Sequence, residues 1–89
     1  MNGTGALAKS LAGHDKGDFF VIMEETDEYV LLVDGKLRPF KKPKRKNKKH
    51  IQIIHDQDQT RRMELICEEK LTDEEIRKLI RCYKRESQV

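Results

Sequence analysis

Apolar residues in this chain fall into two short uninterrupted runs, followed by a stretch of helical periodicity. FFVIM (19–23) and YVLLV (29–33) are apolar at every position and rich in β-branched and aromatic side chains. Runs of that length read as strands, and the lack of alternation predicts that both faces of each are covered. ALAKSLA (6–12) is a shorter strand candidate, GHDKG a loop punctuated by two glycines, and TDE (26–28) a turn. Asp34-Gly35 after the second run predicts a type I′ hairpin, which needs positive φ at both central residues. KLRPF (36–40) is then the returning strand, placed at an edge by Pro39, and HIQII (50–54) is the last strand. Residues 1–5, MNGTG, read as a flexible start.

From about residue 58 the period changes. In LTDEEIRKLIRCYK, Thr72 is an N-cap with Glu75 three positions on, a capping box, and Leu71 and Ile76 occupy hydrophobic-staple positions. Ile76, Leu79, Ile80 and Tyr83 then form one apolar stripe. Upstream, Met63, Ile66, Cys67 and Lys70 repeat the spacing with Leu65 off the stripe, which suits a short first helix and leaves a strand open as the alternative. Both stripes are expected to pack on the sheet. The fold expected is therefore mostly β: a small rolled barrel over 6–55 with a basic loop at 36–50, and a helical C-terminal extension over 58–86. If the helices did not cover them, the outer faces of FFVIM and YVLLV would form a partner-binding surface.

Charge changes the picture because it is unevenly spread. Residues 1–35 hold two basic and seven acidic residues, residues 36–50 hold nine basic and no acidic ones, and residues 51–89 hold eight basic and nine acidic. An acidic to neutral body with one concentrated basic segment points to a polyanionic partner. Within FKKPKRKNKKH (40–50) lysine outnumbers arginine, which favours charge contact with phosphates over bidentate base reading. Three other readings compete: a solvated loop without a ligand, a nuclear import signal in PKRKNKK, and attraction to anionic lipid. The import reading suits a tail better than a segment between strands, and no amphipathic basic helix accompanies the run to support the lipid reading.

Cys67 and Cys82 read as reduced thiols of a cytoplasmic protein, with no signal peptide and no disulfide framework. His14, His50 and His55 share no ligand spacing with them, so no metal and no cofactor is expected. The longest apolar runs are far short of a membrane span. Glu24, Glu25, Asp27 and Glu28 read as a solvated turn, and without a nucleophile or apolar pocket nearby they suggest no catalytic residue and no small-molecule substrate.

The stretch AKSLAGHDKGDFFVIMEETDEYVLLVDGKLRPF resembles the KOW motif of ribosomal and transcription-factor domains. The resemblance rests on Ser10-Leu11-Ala12-Gly13, the loop HDKG, the strand FFVIMEE and the Val33-Asp34-Gly35 close, with Phe20 standing where most KOW sequences have a further glycine. It continues through DGKLRPFKKPKRKNKKH and, more loosely, LTDEEIRKLI, and there it is similar to the small bacterial KOW-domain RNA-binding proteins related to a large-subunit ribosomal protein family of archaea and eukaryotes. The resemblance implies an SH3-like (KOW) barrel that binds RNA, in particular rRNA on a ribosomal subunit, with ribosomal proteins as further neighbours, as a monomer when free. The KOW loop is Gly13, Asp15, Lys16 and Gly17, with unusual φ expected at both glycines. The expected RNA-binding residues are His14, Lys16, Lys36, Arg38, Lys41, Lys42, Lys44, Arg45, Lys46, Lys48, Lys49 and His50. Phe40, at the border of the run, could stack on a base or pack at the barrel rim. The alternative function is a protein-interaction module that docks on a ribosomal protein or RNA polymerase through the outer sheet face.

Overall fold

The computed structural model describes residues 3–87. Five strands form one antiparallel sheet: β1 (Leu7–Ser10), β2 (Phe19–Glu25), β3 (Tyr29–Val33), β4 (Lys44–Asn47) and β5 (Ile51–Ile54), in the order β4-β3-β2-β1-β5. A 3-10 turn, Lys48–His50, links β4 to β5, so the strands at opposite edges of the sheet are consecutive in the chain. Helices α1 (Gln59–Cys67) and α2 (Asp73–Ser87) follow. The result is a small barrel-like domain with a C-terminal helical extension. Among the described residues no helix is long and apolar enough to cross a membrane.

FFVIM is covered on both faces, and YVLLV is covered on its inner face and, at Val33, on its outer one. Alternate residues Phe20, Ile22, Val30 and Leu32 join Ala6, Ala8 and Ile51 in one buried cluster inside the rolled sheet. Their neighbours Val21 and Val33 join Leu7 on the opposite face, against Ile66 of α1, Leu71, and Ile76 and Ile80 of α2. A β-bulge near Met23 shifts the β2–β3 register between Ile22 and Glu24. The helices thus occupy the outer face of β2 and the Val33 end of β3, while Tyr29 and Leu31 are half-buried and belong to neither cluster. Helix α2 starts with the expected capping box: Glu75 N donates to Thr72 Oγ1 at 3.2 Å, and Thr72 N to Glu75 Oε2 at 3.4 Å.

Five sequence expectations need correction. KLRPF is not a strand, and Asp34-Gly35 is not a type I′ turn, since only Gly35 of the pair has positive φ, at 78°. The Asp34 carboxylate accepts from the backbone N of Lys36 at 2.8 Å and of Arg38 at 3.0 Å, which folds the chain into a compact side-chain-capped loop. Helix α2 then holds that loop: Arg77 Nη1 donates to Gly35 O at 2.5 Å, and Asp73 Oδ1 accepts from Phe40 N at 2.6 Å. A Cβ at Gly35 would collide with the Asp73 carbonyl, which is why a glycine stands there.

The segment 36–50 is accordingly not one loop. Its middle is β4, paired with β3 in the register Leu32↔Lys44, Leu31↔Arg45, Val30↔Lys46, Tyr29↔Asn47. At the N-terminus, Met1 and Asn2 lie outside the described residues, but residues 3–5 are packed rather than flexible. Gly3 N donates to Glu25 Oε1, Gly5 N donates to Ile22 O at 2.8 Å, and Thr4 is buried. In α1 the buried side chains are Arg62 and Ile66, while Cys67 is exposed and Lys70 lies beyond the helix. Arg62 is 5% exposed because its Nε donates to Gly5 O at 2.7 Å and its guanidinium pairs with Asp56. This guanidinium ties the helix to the chain entering β1, so the packing stripe of α1 runs through an arginine.

Candidate nucleic-acid interface

Strand β4 is KRKN, with no apolar residue, yet it forms a regular strand. Alternation along a strand sends successive side chains to opposite faces. Lys44 and Lys46, paired with Leu32 and Val30, therefore turn toward the barrel interior, and Arg45 and Asn47 turn outward. A long aliphatic stem lets each inward lysine lie along the barrel rim while its ammonium reaches a polar partner.

That partner is Asp15, in the loop between β1 and β2. Its Oδ2 lies 2.7 Å from Lys44 Nζ, and its Oδ1 lies 2.5 Å from Lys46 Nζ and 2.7 Å from Ser10 Oγ. Lys46 Nζ also donates to Ser10 Oγ at 2.8 Å and Ala12 O at 2.7 Å, so its three donors are all used. Since β4 and β1 are not neighbours in the sheet, this cluster ties the rolled barrel across its open seam. Burial alone would push the Asp15 carboxyl up, but the hydrogen bonds from Lys44, Lys46 and Ser10, with the Lys46 charge, outweigh it. Asp15 is held well below the usual carboxylate range. Lys48 repeats the pattern one step on, with Nζ 2.5 Å from Glu25 Oε2. The hydrogen bond from Lys48, followed by burial acting in the opposite sense and the backbone N of Gly3, sets the Glu25 carboxyl lower than normal.

The glycines of the Asp15 loop carry φ of 86° at Gly13 and 89° at Gly17, as the sequence led us to expect. Lys16 N donates to Gly13 O at 3.2 Å and Gly17 N to Ser10 O at 2.9 Å, a tight loop that leaves His14 and Lys16 exposed beside β4. No protein-family model matches this chain, and no curated protein does. What the surface can do must therefore be read from its own geometry.

The expected RNA-binding residues divide into two sets. Lys44, Lys46 and Lys48 are half-buried and paired with acids. His14, Lys16, Lys36, Arg38, Lys41, Lys42, Arg45, Lys49 and His50 are exposed, and none of the lysines and arginines among them has an acid within ion-pair distance among the described residues. Arg45 lies over an aromatic ring, its guanidinium carbon 4.0 Å from the Tyr29 centroid. Arg45 lies on β4, Lys41 and Lys42 precede it and line a cleft with Glu69 and Asp73, and Lys16 adjoins Asp15 in the loop between β1 and β2. Lys36 and Arg38 sit farther along, on the loop held by α2. Lys49 and His50 fall in the 3-10 turn. The exposed acids Glu24, Asp27 and Glu28 border the far end, where Lys48 N donates to Glu28 O at 3.0 Å. Phe40 packs against the helix-facing cluster, the rim role rather than the stacking one. Among the described residues no group of three or more His, Cys, Asp or Glu side chains could hold a metal ion.

Sequence reasoning missed the division itself. Asp15 was legible as part of a loop motif, but nothing in the periodicity marks it as the acceptor for two lysines about thirty residues away.

Proposed function

We propose that this chain is an RNA-binding module of the cytoplasm, associated with the ribosome, that lies against rRNA phosphates through the exposed cations of its basic segment and the neighbouring loop. The observation that carries this reading is the pairing pattern. Asp15 and Glu25 take up the inward lysines, whereas the outward cations remain exposed and unpaired on a folded surface. Cations on an anchored strand and two anchored loops lose less entropy on binding than a free basic tail does. The similarity to KOW-domain ribosomal proteins supports rRNA as the polyanion. The protein-docking alternative needs the outer faces of FFVIM and YVLLV, and the helices pack against Phe19, Val21, Met23 and Val33, which leaves only the half-buried Tyr29 and Leu31 of those faces outside the helix-facing cluster. We therefore prefer RNA.

Titration with structured RNA at several salt concentrations tests the proposal. If about five phosphates are neutralised, log affinity falls against log salt with a slope of roughly −3.5 to −4.5. Absence of binding at low salt would overturn it, and co-sedimentation with ribosomal subunits from a lysate checks the ribosomal part.

A further inference from the structure

Leu37 is 87% exposed, the most exposed large apolar side chain among the described residues. It stands between Lys36 and Arg38 at the crest of the loop that α2 holds through Gly35 and Phe40. Beside it runs a groove of about 340 Å³ between that loop, the start of β2 and α2. The buried Ile80 and the half-buried Phe19 supply its apolar floor, and Lys36, Leu37 and Arg81 rise at its exposed sides. Phe19 is braced from behind by Tyr83, the ring centroids 5.3 Å apart. Two carboxylates, Asp18 and Asp34, and two further cations, Arg77 and Lys84, also line the groove.

This charge pattern argues about what enters. The cations outnumber the carboxylates and suit phosphate, while the apolar floor and the Asp18 carboxylate suit a base, so the lining fits a nucleotide with its phosphates on Lys36 and Arg81. A nucleobase is planar, carries no net charge, and offers amino and imino donors that a carboxylate accepts. The volume is at the lower end of small-ligand clefts, about 300–1,000 Å³, which suits one base and its sugar. An exposed leucine beside an aromatic floor provides the two apolar contacts that an unstacked base needs in place of its neighbours.

We infer that the groove between the 34–43 loop and α2 receives an unpaired base of the bound RNA, packed between Leu37 and Phe19, with the flanking phosphates on Lys36 and Arg81. The inference rests on the RNA-binding reading and adds a preference for looped over fully paired RNA. It also brings α2 into the interface through Arg81, which lies outside the basic segment.

The test compares an RNA hairpin that has an unpaired loop with a continuous duplex of the same stem, using the whole chain as wild type, Leu37→Ser, and Lys41→Gln/Lys42→Gln. The wild type should bind the hairpin about tenfold more tightly than the duplex. Leu37→Ser should remove that preference and leave duplex affinity unchanged, while Lys41→Gln/Lys42→Gln should weaken both RNAs alike. Equal affinity of the wild type for the two RNAs, or a Leu37→Ser effect equal on both, overturns the base-binding groove and leaves the RNA reading standing. Failure of the wild type to bind either RNA at low salt overturns both.

Discussion

Two sets of cations in the same short segment have opposite surroundings. Lys44, Lys46 and Lys48 end on Asp15 and Glu25, whereas Lys41, Lys42, Arg45 and Lys49 are exposed with no acid within ion-pair distance among the described residues. The sequence treats them alike. Within β4 a period of two separates Arg45 from Lys44 and Lys46, whereas Lys41 and Lys42 precede the strand and Lys48 and Lys49 fall in the 3-10 turn after it. A basic run that forms an edge strand therefore does two jobs. Its inward lysines tie the barrel seam, and the exposed cations around it are the ones proposed to meet a polyanion. Charged side chains on an edge strand also discourage pairing with another chain.

Breaking the inward set should have the largest effect. Asp15→Ala strands the ammonium groups of Lys44 and Lys46 at the seam. The cost should be roughly 2–3 kcal/mol, below the ~3–5 kcal/mol of a fully buried pair because Lys44 keeps contact with water. In thermal unfolding, a domain of this size should lose about 10 °C or more. A loss within error would mean that the cluster does not close the barrel.

Acid should act on the same contacts. Asp15 and Glu25 both have carboxyl groups held below their ordinary values in the folded state. Their stabilisation is fully present above the unfolded values near ~4 and is lost as pH falls through the lower folded ones. Melting temperature should decline as pH drops from about 5 toward 2, and less steeply in Asp15→Asn/Glu25→Gln. Equal slopes in the two proteins would contradict the assignment.

A smaller effect is expected from the outward face. Tyr29→Leu removes the ring under Arg45 and should cost about 0.5–1 kcal/mol, most of it absent when Arg45 is already methionine in a double-mutant cycle. Removing outward charge without touching a contact, as in Lys41→Gln/Lys42→Gln, should change stability by less than about 0.5 kcal/mol.

Much of the scaffold was legible where local and tertiary signals agree. FFVIM, apolar at every position, required two cores and has them, YVLLV fills the inner core and reaches the outer one at Val33, and the Thr72–Glu75 capping box begins α2 with both of its hydrogen bonds formed. Gly13 and Gly17 mark a loop that needs positive φ. Strand β4 was not legible because lysine and asparagine have low strand propensity and the strand has no apolar alternation. It forms through long-range pairing with β3 and through charges accepted by a loop on the far side of the seam. Arg62 escaped for a related reason: a buried guanidinium satisfied by Gly5 O and Asp56 looks, in sequence, like a solvent-facing residue. The Asp34-Gly35 turn was misread because the aspartate side chain caps its own loop and α2 holds it, neither of which the dipeptide reveals. The composition of the candidate site could be read from sequence, but the division of its cations depends on contacts between distant residues.

The central claim is that outward cations contact RNA while inward ones hold the fold. The most direct measurement is the salt dependence of RNA affinity for Lys41→Gln/Lys42→Gln/Lys49→Gln beside Lys46→Met, with thermal stability recorded for both. The account predicts that the triple variant loses about 2–3 units of slope at unchanged melting temperature, while Lys46→Met melts lower and keeps the wild-type slope. A Lys46→Met variant that keeps its stability and loses slope as a phosphate contact would, or a triple variant that keeps the full slope, would contradict it.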